Sequence, residues 1–306
     1  MRNSRVARFA ALTTISFCLV GLTGVAPAQA RVADADQCVD ARESSESDSA
    51  RGGRGADHRD VSVEEQKQIT ARAKELAAAN ATAAAAVPVV PVYVHVMAAK
   101  DGTTGNVSDA AIAAQIDVLN KTFGGTESST ASNTGVTFTL VGTDRFFNDS
   151  WHKDKSSSTY RKATRRGGAN ALNIWLVDFA YLGIATFPWD YARSGAIDGV
   201  RVNYASLPGG SIANYNLGET GTHEVGHWLG LFHTFQGGCT TTNDEVSDTP
   251  AQGGSTNGCP EGADTCTLPG LDPIHNYMDY SYDTCYTMFT AGQTSRMNTM
   301  WAAYRA

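Results

Sequence analysis

Eleven residues, His223-Glu224-Val225-Gly226-His227-Trp228-Leu229-Gly230-Leu231-Phe232-His233, restrict the fold more than any other stretch of the chain. On a helix, His223 and His227 lie one turn apart on one face, a spacing that grips a single metal ion. An uninterrupted helix would carry His233 about 120° away from that face. Gly230 resolves the conflict, because it takes positive φ, stops the helix and lets the next segment swing His233 back as a third ligand. Three neutral imidazoles leave a fourth position open for water, the pattern of catalytic zinc. Glu224, beside the first ligand, is placed to take that water's proton. His-Glu-x-x-His alone also arises as a solvated helix face; the added Gly230 and His233 separate the two readings.

The extended motif is followed by Asn276-Tyr277-Met278-Asp279-Tyr280, and together they resemble the metzincin metallopeptidases. Leu207-Pro208-Gly209-Gly210, His233-Thr234-Phe235, Asp248-Thr249-Pro250 and Phe289-Thr290-Ala291-Gly292-Gln293 narrow this. They are similar to the pappalysin family, especially its compact microbial members related to ulilysin. The resemblance implies an α+β metzincin-type zinc protease domain: a twisted mixed sheet packed on an active-site helix, with a smaller, disulfide-stapled C-terminal subdomain. It implies that Met278 is an apolar floor beneath the imidazoles, and that an extended peptide pairs with Gly183-Ile184-Ala185. In several metzincins a tyrosine at the place of Tyr280 contacts zinc or stabilises the oxyanion, and a phenol has the donor that this requires. A core tyrosine is the alternative.

With 306 residues, 42% hydrophobic and 18% charged, the chain suffices for one packed catalytic domain plus processing segments. Residues 1–30 read as a secretory signal: Arg2, Arg5 and Arg8 precede an apolar run from Phe9 to Val25, and Ala28-Gln29-Ala30 supplies a small-residue cleavage site. A membrane anchor fits less well, because Thr13, Thr14, Ser16 and Thr23 interrupt the run. Residues 31–60 are too polar and Ser/Gly-rich to bury much core and read as a prosegment. Cys38 within it is a candidate latch, a thiolate for the open metal position. The resemblance implies such a latch in some members, but nearer Arg54-Gly55-Ala56-Asp57, where Gly55 stands in place of Cys; an unpaired thiol is the alternative. The catalytic domain then spans 61–306, with an upper subdomain to about 233 and a lower one over 234–306.

Along that domain, Ser62 with Glu65 forms a capping-box pattern that predicts a helix to Ala79, and an Ala-rich connection follows through Ala86. Val87 to Met97 reads as the first strand, with His95 a sheet residue. Ser108 caps a helix whose Ile112, Ile116, Leu119 and Phe123 recur at near-helical spacing. Val136 to Leu140 alternates as a half-buried strand, and Leu172 to Val177 reads as a buried one. The basic run from Lys153 to Arg166 reads as a solvated helix face, and a net charge of −7 gives no support for a nucleic-acid partner. Leu182 to Trp189 is a candidate edge strand bordering a substrate cleft, Val200 to Tyr204 another strand, and the zinc-binding helix begins near Leu217. Thr290 with Gln293 predicts a final capped helix.

The metal-bearing half is acidic. No Lys or Arg lies between Arg201 and Arg296, whereas Glu219, Glu224, Asp244, Glu245, Asp248, Glu261, Asp264, Asp272, Asp279 and Asp283 do. Such a field favours cations, either Ca²⁺ held by loop oxygens or a basic substrate side chain. Asp244, Asp248 and Thr249 are the calcium candidates, with plain solvated carboxylates as the alternative. Cys239, Cys259, Cys266 and Cys285 form an even set that argues for two disulfides in an exported protein, and lack the tight Cys-x-x-Cys pairs of a structural zinc site. Residue order leaves three pairings open. The family resemblance implies Cys239–Cys266 and Cys259–Cys285.

These readings converge on a secreted, extracellular zinc metalloendopeptidase that acts on proteins or peptides, with no stable membrane anchor. The acidic half, and the resemblance to ulilysin, give an expectation of Arg or Lys next to the cut. Another secreted zinc hydrolase on the same scaffold, an exopeptidase or peptidoglycan amidase, and a non-catalytic binding protein remain as alternatives.

Overall fold

The computed structural model describes residues 61–80 and 88–306. The expected signal at 1–30, the prosegment at 31–60 with Cys38, and the connection at 81–86 lie outside them. In chain order the elements are α1 (Val63–Ala79), β1 (Val89–Ala98), α2 (Asp109–Phe123), β2 (Thr137–Phe147), α3 (Asp149–His152), α4 (Ser157–Thr164), β3 (Leu172–Val177) and β4 (Gly183–Ala185). They continue with α5 (Tyr191–Ser194), β5 (Val200–Asn203), α6 (Glu219–Trp228) and α7 (Ala291–Tyr304). The caps read from sequence are in place. Ser62 Oγ accepts the Glu65 N–H, Ser108 Oγ the Ala111 N–H, and Thr290 with Gln293 closes a complete capping box.

The sheet has the order β2-β1-β3-β5-β4, parallel throughout except for β4, which runs antiparallel to β5 at the edge. Parallel neighbours need crossover connections, which helices supply: α2 between β1 and β2, then α3 and α4 between β2 and β3. Because side chains alternate across a sheet, each face has its own core. Val90, Val92, Val94 and Val96 meet Ile112, Ile116, Leu119 and Phe123 of α2, and Val225 and Trp228 of α6. Met97, Trp175 and Val177 pack instead with Tyr160 of α4. A third cluster joins Val61, Ile69 and Ala73 to Phe187, Phe232 and Met300, tying α1 to the segment that carries His233.

Two sequence expectations need correction. The strand expected over Val136–Leu140 continues as β2 to Phe147, although its later residues are half-exposed and lack apolar alternation; backbone pairing with β1 up to Ala98↔Phe147 carries it. The run from Lys153 to Arg166 is not a solvated face throughout. Arg161 is buried and donates to both the carbonyl and the hydroxyl of Ser157, and Arg165 lies 3.7 Å from buried Asp198.

Between Thr234 and Thr290 the backbone is mostly turns, with two isolated bridges and one 3-10 turn at Asp283–Cys285. Disulfides Cys239–Cys266 and Cys259–Cys285 fasten it, the pairing the resemblance implied. Among the described residues, no helix is long and apolar enough to cross a membrane.

Candidate active site

Helix α6 is buried over all ten of its residues and starts at Glu219, two residues later than Leu217, because Gly218 is left-handed. It stops at Trp228 in a Schellman turn: Gly230 has φ +96°, its N–H donates to His227 O at 2.8 Å, and the Leu231 N–H donates to Gly226 O at 3.0 Å. Arg296 of α7 locks the turn from behind. Its Nε donates to Gly230 O at 2.8 Å, and its guanidinium lies 4.6 Å from the Phe232 ring centre. Burial lowers the Arg296 pKa to about 10, with Asp244 and Glu245 opposing.

That turn returns His233 to the helix face. The three Nε2 atoms of His223, His227 and His233 stand 3.1–3.2 Å apart, all buried. His223 Nδ1 lies 2.6 Å from Tyr277 O, and His227 Nδ1 lies 2.8 Å from Leu231 O. A backbone carbonyl only accepts, so each Nδ1 carries the proton and each Nε2 presents its lone pair. Converging lone pairs repel unless a cation sits among them. Ligands about 2.0–2.1 Å from zinc at tetrahedral angles are roughly 3.3 Å apart, so the triangle fits that ion.

Beneath the helix, Asn276 Oδ1 accepts the Met278 N–H at 3.0 Å and so folds the methionine turn. A Cβ on Gly226 would stand 2.4 Å from Met278 Sδ, so the glycine between Glu224 and the second histidine lets the thioether approach the helix. Phe235 stacks on His233 at 4.6 Å and meets the Tyr280 ring edge-on at 5.1 Å. Tyr280, buried, lies 4.8 Å from His233 and 5.7 Å from His223, ring to ring. Phe187 abuts His227 from the other side. Glu224 is 1% exposed, and its side chain packs under Gly183 of β4.

The calcium candidates lie elsewhere in the lower half. Asp244 and Thr249 are buried, with the Thr249 hydroxyl turned to the Asp244 carboxyl, and burial holds that carboxyl well above the usual carboxylate range, with Arg296 opposing. Asp248 serves differently, since its two oxygens accept the Thr290 hydroxyl at 2.7 Å and the Gly292 N–H at 2.8 Å and so hold the start of α7. Other members of the acidic set also serve structure. Asp279 accepts from Gln252 and from the backbone at Thr256 and Tyr280, and Asp283 accepts the Leu217 N–H. Cys259, His275 and Cys285 also converge, but the Cys259–Cys285 disulfide leaves neither sulfur as a thiolate ligand.

Sequence reading missed the buried hub behind α6. Arg305 forks onto Asp198 at 3.1 and 3.2 Å, donates to Trp228 O at 2.9 Å and lies 3.6 Å over the Trp228 ring. Asp198 also accepts from Trp228 Nε1 at 3.0 Å and from the Thr186 hydroxyl at 2.9 Å, which ties the end of α6 to the segment just after β4. Nothing local marks this hub, because its members are scattered over more than a hundred positions.

Known proteins place this fold in one class, the metzincin-type metalloproteases. Residues 172–302 match the peptidase M43 family model, described as pregnancy-associated plasma protein-A. An extracellular metalloprotease of Verticillium alfalfae is 48% identical over 244 residues, covering 76% of this chain and 82% of its own. One from Neurospora crassa is 44% identical over 251 residues, covering 80% and 85%. Among solved structures, mature mirolysin of Tannerella forsythia in complex with a cleaved peptide aligns with TM-score 0.62 and 31% identity, over 72% of this chain and 96% of that one. A promirolysin mutant from the same organism aligns at TM-score 0.66 and 29% identity, over 78% and 88%. The chain belongs to the M43, or pappalysin, family and is a metalloprotease.

Proposed function

We propose that the chain is a secreted zinc endopeptidase that cuts internal bonds of proteins, made with a signal over 1–30 and a prosegment over 31–60. The observation that carries this reading is the triangle of three buried imidazole Nε2 atoms, two of them oriented by carbonyls at Nδ1, with Glu224 adjacent. His223, His227 and His233 hold the metal. When bound, zinc supplies Lewis-acid polarisation and makes a water easier to deprotonate. Glu224 takes the water's proton and passes it to the leaving amine, and the Tyr280 hydroxyl donates to the oxygen that gains charge. The outer edge of β4 offers backbone N–H and C=O groups to an extended substrate. Cleavage in the mirolysin structure's bound peptide supports a peptide substrate by likeness.

Glu224→Ala tests the general base: zinc content stays at one per chain while turnover falls ~10²–10⁴-fold, and near-normal activity would remove the assignment. Tyr280→Phe is expected to lower kcat more than it raises KM; unchanged turnover rejects the role. The surplus of carboxylates between Arg201 and Arg296 supports Arg or Lys next to the cut. Cuts dominated by apolar neighbours would reject that preference. Calcium is assigned to the loop of Asp244, Asp248 and Thr249, where the side-chain oxygens of Asp244 and Thr249 are buried beside one another. Cys38 is assigned as the latch of the proform; Cys38→Ser leaves latency unchanged if that is wrong.

A further inference from the structure

We infer that Gly183 is a positioning residue for the Glu224 carboxylate: the bare Cα at the start of the outer edge strand leaves the space in which that carboxylate stands. The inference rests on Glu224 being the general base.

Strand β4 is three residues long and outermost in the sheet, and α6 passes beneath it. Side chains at 183 and 185 share one face by strand alternation, and both are small; Ala185 lies in the same core as Val225 and Trp228 of α6. A Cβ placed on Gly183 falls 2.4 Å from both Glu224 Cγ and Glu224 Oε1, and 2.5 Å from Cδ. That is about an ångström inside ordinary carbon contact. All three nearest atoms belong to the Glu224 side chain rather than to backbone. Nor does the backbone at 183 need glycine, since its φ is outside the left-handed region. One methyl group would therefore leave strand and helix where they are and turn the carboxylate aside.

Such a displacement moves the Glu224 side chain from Cγ outward by rotation about its own bonds, with no backbone atom among the nearest contacts. For catalysis it is expensive, since a misplacement of about 1 Å in a reacting constellation costs on the order of 10²-fold. Position 183, on the edge strand, is thus held to hydrogen by the chemistry. A requirement for close packing between α6 and β4 would instead show itself as lost stability or lost substrate binding.

The test uses processed, zinc-loaded enzyme and a fluorogenic peptide with one arginine at the cut, comparing wild type, Gly183→Ala, Glu224→Ala and the double variant. Gly183→Ala is expected to lower kcat ~10²-fold with KM, zinc content and melting temperature little changed. In the Glu224→Ala background the same substitution is expected to cause no further loss. A hydroxamate peptide should bind Glu224→Ala and the double variant with equal affinity by calorimetry. Wild-type kcat in Gly183→Ala, or weaker hydroxamate binding in the double variant, overturns the inference while leaving Glu224 in its role. Near-normal turnover by Glu224→Ala instead removes the general base itself.

Discussion

The two halves of the molecule are held together by different physics. From Val89 to Trp228, regular elements bury alternating or helically spaced apolar residues on both faces of a sheet. From Thr234 to Thr290 there is little regular structure, and order comes from two disulfides, carboxylates that accept backbone N–H groups, and side-chain amide pairs such as Asn276 with Gln293. The candidate metal-site residues straddle the seam: His223 and His227 come from the apolar half, His233 sits in the turn that joins the two, and Met278 and Tyr280 belong to the turn-built one. A hydrophobic core sets the helix, but a ligand arriving from a turn has to be locked by specific polar contacts, here the Schellman turn and Arg296.

The largest expected effect breaks the apolar half at its buried Asp198 hub. Arg305→Ala leaves the buried Asp198 carboxyl without its forked partner behind α6, which costs about 3–5 kcal/mol; denaturant titration should show it. Removing the exposed Arg72–Glu75 pair should cost less than about 1 kcal/mol. Next comes the lower half. Cys239 and Cys266 are 27 residues apart, so replacing both with Ser should cost about 3.5 kcal/mol. Hydrogen exchange is expected to speed up between residues 239 and 266 and stay unchanged in β1 and β3. Uniform acceleration would show that the halves unfold as one.

A third, smaller effect is a pH dependence. The folded Asp244 carboxyl, and Asp279 with it, is raised above its unfolded value by burial. The unfolded chain therefore ionises first, and these groups lend stability at acid pH that is lost as pH rises through the carboxylate range and above. Calcium-free, zinc-loaded protein should accordingly lose part of its stability toward neutral pH. Calcium at a hundred times its Kd should add about 2.7 kcal/mol at neutral pH, and Asp244→Asn should abolish that gain and flatten the pH slope. Equal calcium response in both proteins would reject Asp244 as a ligand. A small effect is also expected from Met278→Leu, a near-isosteric exchange costing less than about 1.5 kcal/mol.

What could be read in advance divides along the same line. The helical spacing of Ile112, Ile116, Leu119 and Phe123, the caps at Ser62, Ser108 and Thr290, and the break at Gly230 are local consequences of a few neighbouring residues, and all are present. The disulfide pairing followed only from family resemblance, since residue order permits three. Contacts between distant positions left no trace. Asp198 with Arg305, Gly183 with Glu224, and Phe235 edge-on to Tyr280 depend on how elements dock, and neither period nor motif encodes that. The same limit explains Arg161 and Arg165, which as sequence are a basic run and in the fold are drawn inward by carbonyls and Asp198.

The most direct test of the histidine cluster as an endopeptidase centre is mass-spectrometric mapping of a reduced, alkylated protein digested by processed, zinc-loaded enzyme. Glu224→Ala and a chelator-treated sample run alongside. Internal cuts, enriched beside Arg or Lys and missing from both controls, are the expected result. Products trimmed only from chain ends, or a digest unchanged by Glu224→Ala, would contradict it.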